Sequence, residues 1–441
     1  MKIVHVTPLY HPFRGGAESY TKEVSERLAR RGHDVTVLAL NQRMPSGQRN
    51  APTEVLNGVT VRRFDGAGRV HAVLATAAQT GVGRRLVAWT AYADVVESWA
   101  RSSYGLAASL HAVRASPDVV AVINWYDGWL PLQACLPRRF RGFSLVGVPL
   151  FHTEARWSQE PLQGKLLQQF DAVVALTDHE RAFMLPFTNR ARTIGVGVDE
   201  TAFLNADGHA VRSRYGIGAA PLVGYIGRMA SYKGIDTLIR SMKEVWPLVP
   251  DARLLVAGGA ASRSHPPLGF PSPALESLSP VERSRVIITG SFSDEEKASL
   301  FDSLDVFAMP SRAESFGIAY LEAWLRRKPV IGARLGSTEC IIDHGTDGEL
   351  VPTDDAHELA ASILRLLEDR ERRVRLGSAG YAKTIARFTW DKVTDAVERL
   401  YRDSVEAYRP RNATTSGAWS PSSAGESTSA SVHAQDADTS T

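Results

Sequence analysis

The sequence predicts an α/β protein built from two doubly wound parallel sheets, and three observations point to it. The chain has 441 residues, too many for one ordinary core and suited to two domains of about 150 to 200 residues each. Short apolar runs alternate with helix-period segments through most of its length, which is the pattern of parallel sheets covered on both faces. The pattern also runs twice, breaking at IGVGVDETAFLNADG (194–208), where the last strand of the first half gives way to Gly, Asn and Asp.

In the first half the strands fall at KIVHVT (2–7), DVTVLAL (34–40), VTVRRF (59–64), VVAVIN (119–124), SLVGVPLF (144–151) and AVVALT (172–177). The second half repeats the scheme with LVGYIG (222–227), RLLVAGG (253–259), RVIITG (285–290), DVFAMP (305–310), PVIGAR (329–334) and GELVP (348–352). Segments 355–368, 371–386 and 390–408 read as closing helices, the last with an apolar stripe at Val393, Val397, Leu400 and Tyr401. These readings place a first domain at 1–200, completed by the helix at about 388–408, and a second at 201–387. Residues 411–441 are rich in Ser, Thr and Ala and carry too little apolar surface to order themselves, so they read as a disordered tail.

Composition narrows the function. Hydrophobic residues at 44% and charged residues at 22% are ordinary for a folded soluble protein. A net charge of +3 without a Lys/Arg-rich tract argues against nucleic acid as a partner. Cys135 and Cys340 lie in different halves without metal-ligand spacing, which argues against a disulfide framework or zinc site and suits a reducing cytoplasm. The chain opens as strand and loop, and its apolar runs are far below a membrane span. Any membrane contact is then expected to be peripheral, at the inner face of the plasma membrane.

Three clusters could carry chemistry. In PLYHPFRGGAESY, Gly15 and Gly16 close the loop after the first strand and open a helix, whose unpaired N–H groups suit a phosphate; glycines there also serve simply to turn the chain. In GYIGRMASYKGIDTLI, Arg228 follows a strand and Lys233 precedes a helix, aiming two cations beyond the carboxyl edge of the sheet, where open α/β sheets bind ligands. Cations fixed there would stabilise the charge that grows on a departing diphosphate. In PSRAESFGIAYLEAW, Glu314 and Glu322 flank Phe316, Gly317 and Ile318 at a spacing of eight, with Glu314 in a loop and Glu322 about one turn into the next helix. A carboxylate is a two-point acceptor for sugar or ribose hydroxyls, and N–H groups around Gly317 can receive phosphate.

Together with VGVGVD before the join and LGSTECIIDHGTDGELVPTDD near the end, these clusters resemble the retaining family 4 glycosyltransferases (glycosyl transferases group 1) over about residues 1–408. The resemblance implies the GT-B fold, two Rossmann-like domains facing a central cleft. It implies that Gly15, Gly16, Arg228 and Lys233 hold the donor diphosphate, Glu322 the ribose, Glu314 the donor sugar with Phe316 and the Gly317 and Ile318 amides nearby, and Phe292 the base. His152, in PLFHTEARW, falls where the family has a histidine facing the reacting sugar, which makes His152, Glu314, Arg228 and Lys233 the catalytic set. The implied activity is hexose transfer from a UDP- or GDP-linked sugar to a glycan or lipid-linked acceptor by front-face substitution, a step in polysaccharide biosynthesis. No cofactor or metal is expected, since the only Asp-x-Asp is Asp436–Asp438 in the tail and Arg228 and Lys233 would take the cation's place.

Acceptor identity is not carried over, because Asn124, Trp125, Tyr126 and Asp127 stand in an acceptor-side loop where many relatives have a histidine. Trp89, Tyr92 and Trp99 with Arg84 and Arg85 are candidates for acceptor or membrane contact, the aromatics also reading as core. Two alternatives stay open: a nucleotide-sugar epimerase of the same fold, and a catalytically silent nucleotide-sugar-binding protein.

Overall fold

The structure is a computed structural model that describes residues 1–13, 15–41, 50–65, 114–125, 142–153, 161–259 and 272–413, with single positions at 111, 130, 131 and 134. Its first sheet holds β1 (Lys2–Val6), β2 (Asp34–Leu40), β3 (Thr53–Leu56), β4 (Val59–Phe64), β5 (Val119–Ile123), β6 (Ser144–Val148), β7 (Ala172–Ala175) and β8 (Ala191–Thr193). Their order is β3-β4-β2-β1-β5-β6-β7-β8, parallel throughout except for the β3–β4 pair. Every residue of β5 and β6 is buried, as a strand covered on both faces requires.

The second sheet holds β9 (Leu222–Ile226), β10 (Arg253–Ala257), β11 (Val286–Gly290), β12 (Val306–Met309), β13 (Val330–Ala333) and β14 (Gly348–Val351). They run parallel in the order β11-β10-β9-β12-β13-β14. Counted from β9 this is the Rossmann order 3-2-1-4-5-6, whose direction reverses between β9 and β12. The first sheet reverses in the same way between β1 and β5. Two reversal points, one per sheet, therefore mark where ligands belong.

All twelve strands read from the sequence are present. The longest reading, 144–151, shortens to Ser144–Val148, because Pro149 has no N–H for the ladder and Leu150 turns to a φ of 60°. Two strands were not foreseen. β3 pairs with β4 through a two-residue turn at Asn57-Gly58, both with positive φ, the geometry that matches strand twist. β8 is only three residues long.

The chain crosses between the halves twice, side by side. Val198 N–H donates to the Phe388 carbonyl at 2.8 Å, and Trp390 N–H donates to the Val198 carbonyl at 3.2 Å. Gly197 permits the approach, since a Cβ there would lie 2.6 Å from Trp390 backbone. The closing helix Trp390–Ala413 then packs on the first sheet and on helix Gly16–Arg30. Arg27 bonds Asp391 at 2.9 Å, Arg31 bonds Glu398 at 3.0 Å and Ser144 bonds Ser404 at 2.8 Å. Buried His5 bridges the Ser25 hydroxyl at 2.7 Å and the Tyr401 hydroxyl at 3.1 Å. Its burial pushes the imidazole down to about 3, so it is neutral. The last three residues of this helix, 411–413, belong to the segment read as tail, and 414–441 lie outside the described residues.

Candidate active site

The loops that leave β9 and β12 meet at the reversal point of the second sheet. Gly234 makes the meeting possible: its φ is 71°, and a Cβ on it would lie 1.9 Å from the Pro310 carbonyl oxygen. Arg312 staples the two loops, its N–H donating to the Tyr232 carbonyl at 2.6 Å and its guanidinium reaching the Ser231 carbonyl at 2.6 Å and Asp354 at 2.7 Å. The result is a close pair, with Lys233 Nζ 2.5 Å from Glu314 Oε2 and both side chains about nine-tenths buried. Burial alone would raise the Glu314 carboxyl; the Lys233 ammonium, helped by His152 and Arg228, more than offsets this and holds it below the usual carboxylate range. Glu314 is therefore a carboxylate set among cations.

Two helix starts converge beside this pair. Gly317, at a φ of 91°, caps helix Ile318–Leu325 with no side-chain bond, and a Cβ there would strike the Tyr320 ring at 2.5 Å. Gly15 likewise caps helix Gly16–Arg30 without a side-chain bond. A Cβ on Gly16 would lie 3.7 Å from Ile318 Cδ1, so the two starts face each other across the cleft. Two helix starts whose cap residues make no side-chain bond, with Arg228 nearby, have the chemistry to suit an anion. Glu18 folds back over Gly15, and burial raises its carboxyl while a bond from its own backbone N–H and then Arg228 pull the other way.

His152 reaches the same place from the first half. Its ring stands edge-on to Tyr232 at 6.1 Å, and Lys233 Nζ lies 5.2 Å from that Tyr232 ring. His152, Lys233, Glu314 and Arg228 are thus neighbours, although 162 positions separate the His and Glu (314 − 152).

Other residues named from the sequence have partners of their own. Glu322 projects from helix Ile318–Leu325 to Lys297 Nζ at 2.6 Å, and Lys297 also stands 5.9 Å over the Phe203 ring. Phe292 lines a cleft of about 310 Å³ with Thr289, Ser291 and Glu295. Phe316 is buried edge-on against Phe388 at 5.7 Å and beside Gly195, where the chain crosses between the halves. Its side chain serves that junction. Trp125, expected in the acceptor-side loop, is buried and stacked on Phe170 at 5.1 Å, with its indole N–H donating to Gln163 at 2.9 Å. Tyr126, Asp127, Arg84, Arg85, Trp89, Tyr92 and Trp99 lie outside the described residues.

Lys297, Arg312 and Asp354 were not foreseen, because each looks like a solvated charge until the fold brings its partner to it. Among the described residues no group of three or more His, Cys, Asp or Glu is arranged to hold a metal ion, and no helix is long and apolar enough to cross a membrane.

The model of glycosyl transferases group 1 matches residues 220–369, and that of the glycosyl transferase 4-like domain matches residues 15–196. The alpha-D-kanosaminyltransferase of Streptomyces kanamyceticus is 30% identical over 287 residues, 59% of this chain and 72% of that protein. The chain belongs to the group 1 glycosyltransferases.

This glycosyltransferase is also similar along nearly its whole length to the D-inositol 3-phosphate glycosyltransferase of Segniliparus rotundus, at 27% identity over 427 residues (90% of this chain, 87% of that one). It superposes on sucrose-phosphate synthase from Thermosynechococcus elongatus with a TM-score of 0.72 at 20% identity, covering 92% of this chain and all of that one. Anabaena HepE in complex with UDP and glucose gives 0.68 at 16% identity over 90% and 98%. These likenesses show the GT-B fold of two Rossmann-like domains. The group 1 model spans the segments that carry Arg228, Lys233, Glu314 and Glu322.

Proposed function

We propose that the enzyme moves a hexose from a UDP- or GDP-linked donor to a hydroxyl of a glycan or lipid-linked acceptor, with retention at the anomeric carbon and without a metal. The observation that carries this reading is the Lys233–Glu314 pair at the reversal point of the second sheet, with Arg228 and His152 beside it and two helix starts facing it. In this reading Arg228, Lys233 and the N–H groups at Gly15, Gly16, Gly317 and Ile318 hold the diphosphate and receive its charge as the sugar departs. Glu314 accepts hydroxyls of the donor sugar, His152 faces that sugar, Glu322 takes the ribose once Lys297 has oriented it, and Phe292 borders the base.

Substitution proceeds on one face. The acceptor hydroxyl approaches from the side the diphosphate leaves, its proton passes to the donor phosphate oxygen, and the short-lived oxocarbenium-like sugar is stabilised by the diphosphate. Relatives named for D-inositol 3-phosphate and for a GDP-mannose-dependent phosphatidylinositol monomannoside reaction support a polyol or lipid-borne hydroxyl as acceptor. A thermal-shift screen of UDP-, GDP- and ADP-sugars selects the donor, because a bound ligand raises apparent stability by mass action. Transfer of that sugar to a glycan or lipid extract in EDTA, with the anomer of the product read by NMR, completes the test. An inverted anomer, or activity lost in EDTA and restored by a divalent ion, refutes the mechanism; donor conversion to an epimer without acceptor refutes transfer.

A further inference from the structure

The segment bearing His152 leaves β6 under strain. Pro149 ends the strand, and Leu150 sits at a φ of 60°, a region that a leucine rarely enters. Such backbone persists only where its surroundings over-determine it. Here both neighbours of His152 are tied to consecutive residues of helix Asp178–Met184. Phe151 N–H donates to Glu180 Oε1 at 2.8 Å, while Glu180 Oε2 accepts the Leu176 N–H at 2.6 Å. On the other side, Thr153 Oγ1 lies 3.0 Å from His179 Nε2. The helix start that carries both is fixed by Thr177, whose hydroxyl accepts the Glu180 N–H at 3.1 Å.

We propose that His179 and Glu180 form a clamp on the two neighbours of His152, Glu180 on the Phe151 backbone and His179 on the Thr153 hydroxyl, and so act as positioning residues for its imidazole during sugar transfer. The proposal rests on the role given to His152 above. A surface carboxylate could not do this work: Glu180 is 1% exposed, so its two N–H bonds are shielded from competing water. His179 also lies against the other half of the chain, since a Cβ on Gly336 would lie 2.2 Å from His179 Nδ1.

The clamp is sensitive to protons. Burial pushes the Glu180 carboxyl up to about 7, against the pull of its two N–H bonds. The titratable groups around it are Tyr20 from helix Gly16–Arg30, His179 on its own helix and His152 beside its bonded amide. Below about pH 7 the carboxyl takes a proton and one of its acceptor oxygens becomes a hydroxyl, which weakens one of the two anchors.

The test uses the full chain and the variants E180Q and H179A. Amide exchange at Phe151 is measured together with kcat and KM for release of UDP from UDP-glucose or GDP from GDP-mannose. In E180Q, Phe151 exchange rises and kcat falls about tenfold while KM for the donor stays within about twofold, because only the placement of His152 is lost. Wild-type kcat is expected to decline as Glu180 takes up its proton below about pH 7, and this decline to disappear in E180Q. H179A moves kcat in the same direction by a smaller factor, and it decides the matter by the same split if E180Q does not fold. Unchanged exchange at Phe151 overturns the clamp; faster exchange with unchanged kcat, or a rise in KM alone, overturns the positioning role. Failure of the transfer reading shows separately, as absence of turnover by the wild type, and exchange at Phe151 still decides whether the clamp exists.

Discussion

Lys233 and Glu314, 81 residues apart in the chain, meet at 2.5 Å where the strand order of the second sheet reverses. Their neighbours sort them unequally. The carboxylate has Arg228 and His152 close by as well, whereas the ammonium has Glu314 as its bonded acid. Removing either partner therefore leaves a different remnant.

Lys233→Ala strips the pair of its cation and leaves Glu314 facing the proposed diphosphate site. Transfer is expected to fall about 100-fold or more, the size seen when a preplaced group is removed from developing charge. Stability should drop by about 3 kcal/mol, because a buried carboxylate loses its partner. Glu314→Gln keeps the shape and drops the charge, so it should cost less stability and comparable activity. Parallel kcat/KM and urea-unfolding measurements check both, and near-wild-type transfer by both variants sinks the assignment.

Gly234→Ala tests the loop contact that builds the pair. A φ of 71° and a Cβ placed 1.9 Å from the Pro310 oxygen force the two loops apart. We expect a loss of about 2 kcal/mol from backbone strain, together with loss of donor-induced thermal shift. A variant as stable and as responsive to donor as the wild type would show that the loops need not touch.

His5 makes stability fall with acid. Its pKa is about 3 in the folded protein against an ordinary 6.5, so between those values the unfolded chain takes up a proton that the folded one refuses. Stability is complete above about pH 6.5 and declines as pH drops toward 3. His5→Gln should flatten this part of the curve of urea midpoint against pH while lowering its neutral plateau.

Glu398 acts in a lower window. Although burial opposes it, bonds from Arg402, His33 and Arg31 hold its carboxyl at about 2, below the ordinary 4.5. Its stabilisation is present above about pH 4.5 and is lost as pH falls through about 2. Glu398→Gln is expected to lower Tm by about 2–4 °C at neutral pH, and the difference should vanish at about pH 2. A difference that persists at that acidity would assign the loss to packing instead.

The sequence exposed the frame of the candidate site because its parts follow apolar strands: Arg228 after β9, Glu314 after β12, His152 after β6 and, past a longer loop, Gly16 after β1. Strand ends are readable from local pattern. What joins them is not: Lys297 finds Glu322 across 25 positions, Arg312 finds Asp354 across 42, and Glu180 finds Phe151 across 29. Each is a charged residue on a helix or loop, and nothing nearby marks it as buried or paired. Phe316 shows the converse, since its place between Glu314 and Gly317 suggested the donor while its side chain packs at the junction with Phe388. The β3–β4 hairpin was legible after all, from Asn57-Gly58, but a four-residue strand of mixed polarity did not announce itself.

The paired crossing at Val198 and Trp390 constrains how the halves can move. A single connecting strand would leave them free to swivel and tilt about any axis. Two passages bonded to each other tie the halves together at two neighbouring points, Val198 to Phe388 and Val198 to Trp390, so twisting one half against the other strains these bonds. The same tie holds the cleft in register, with Gly16 set against Ile318 and the His152 ring against Tyr232.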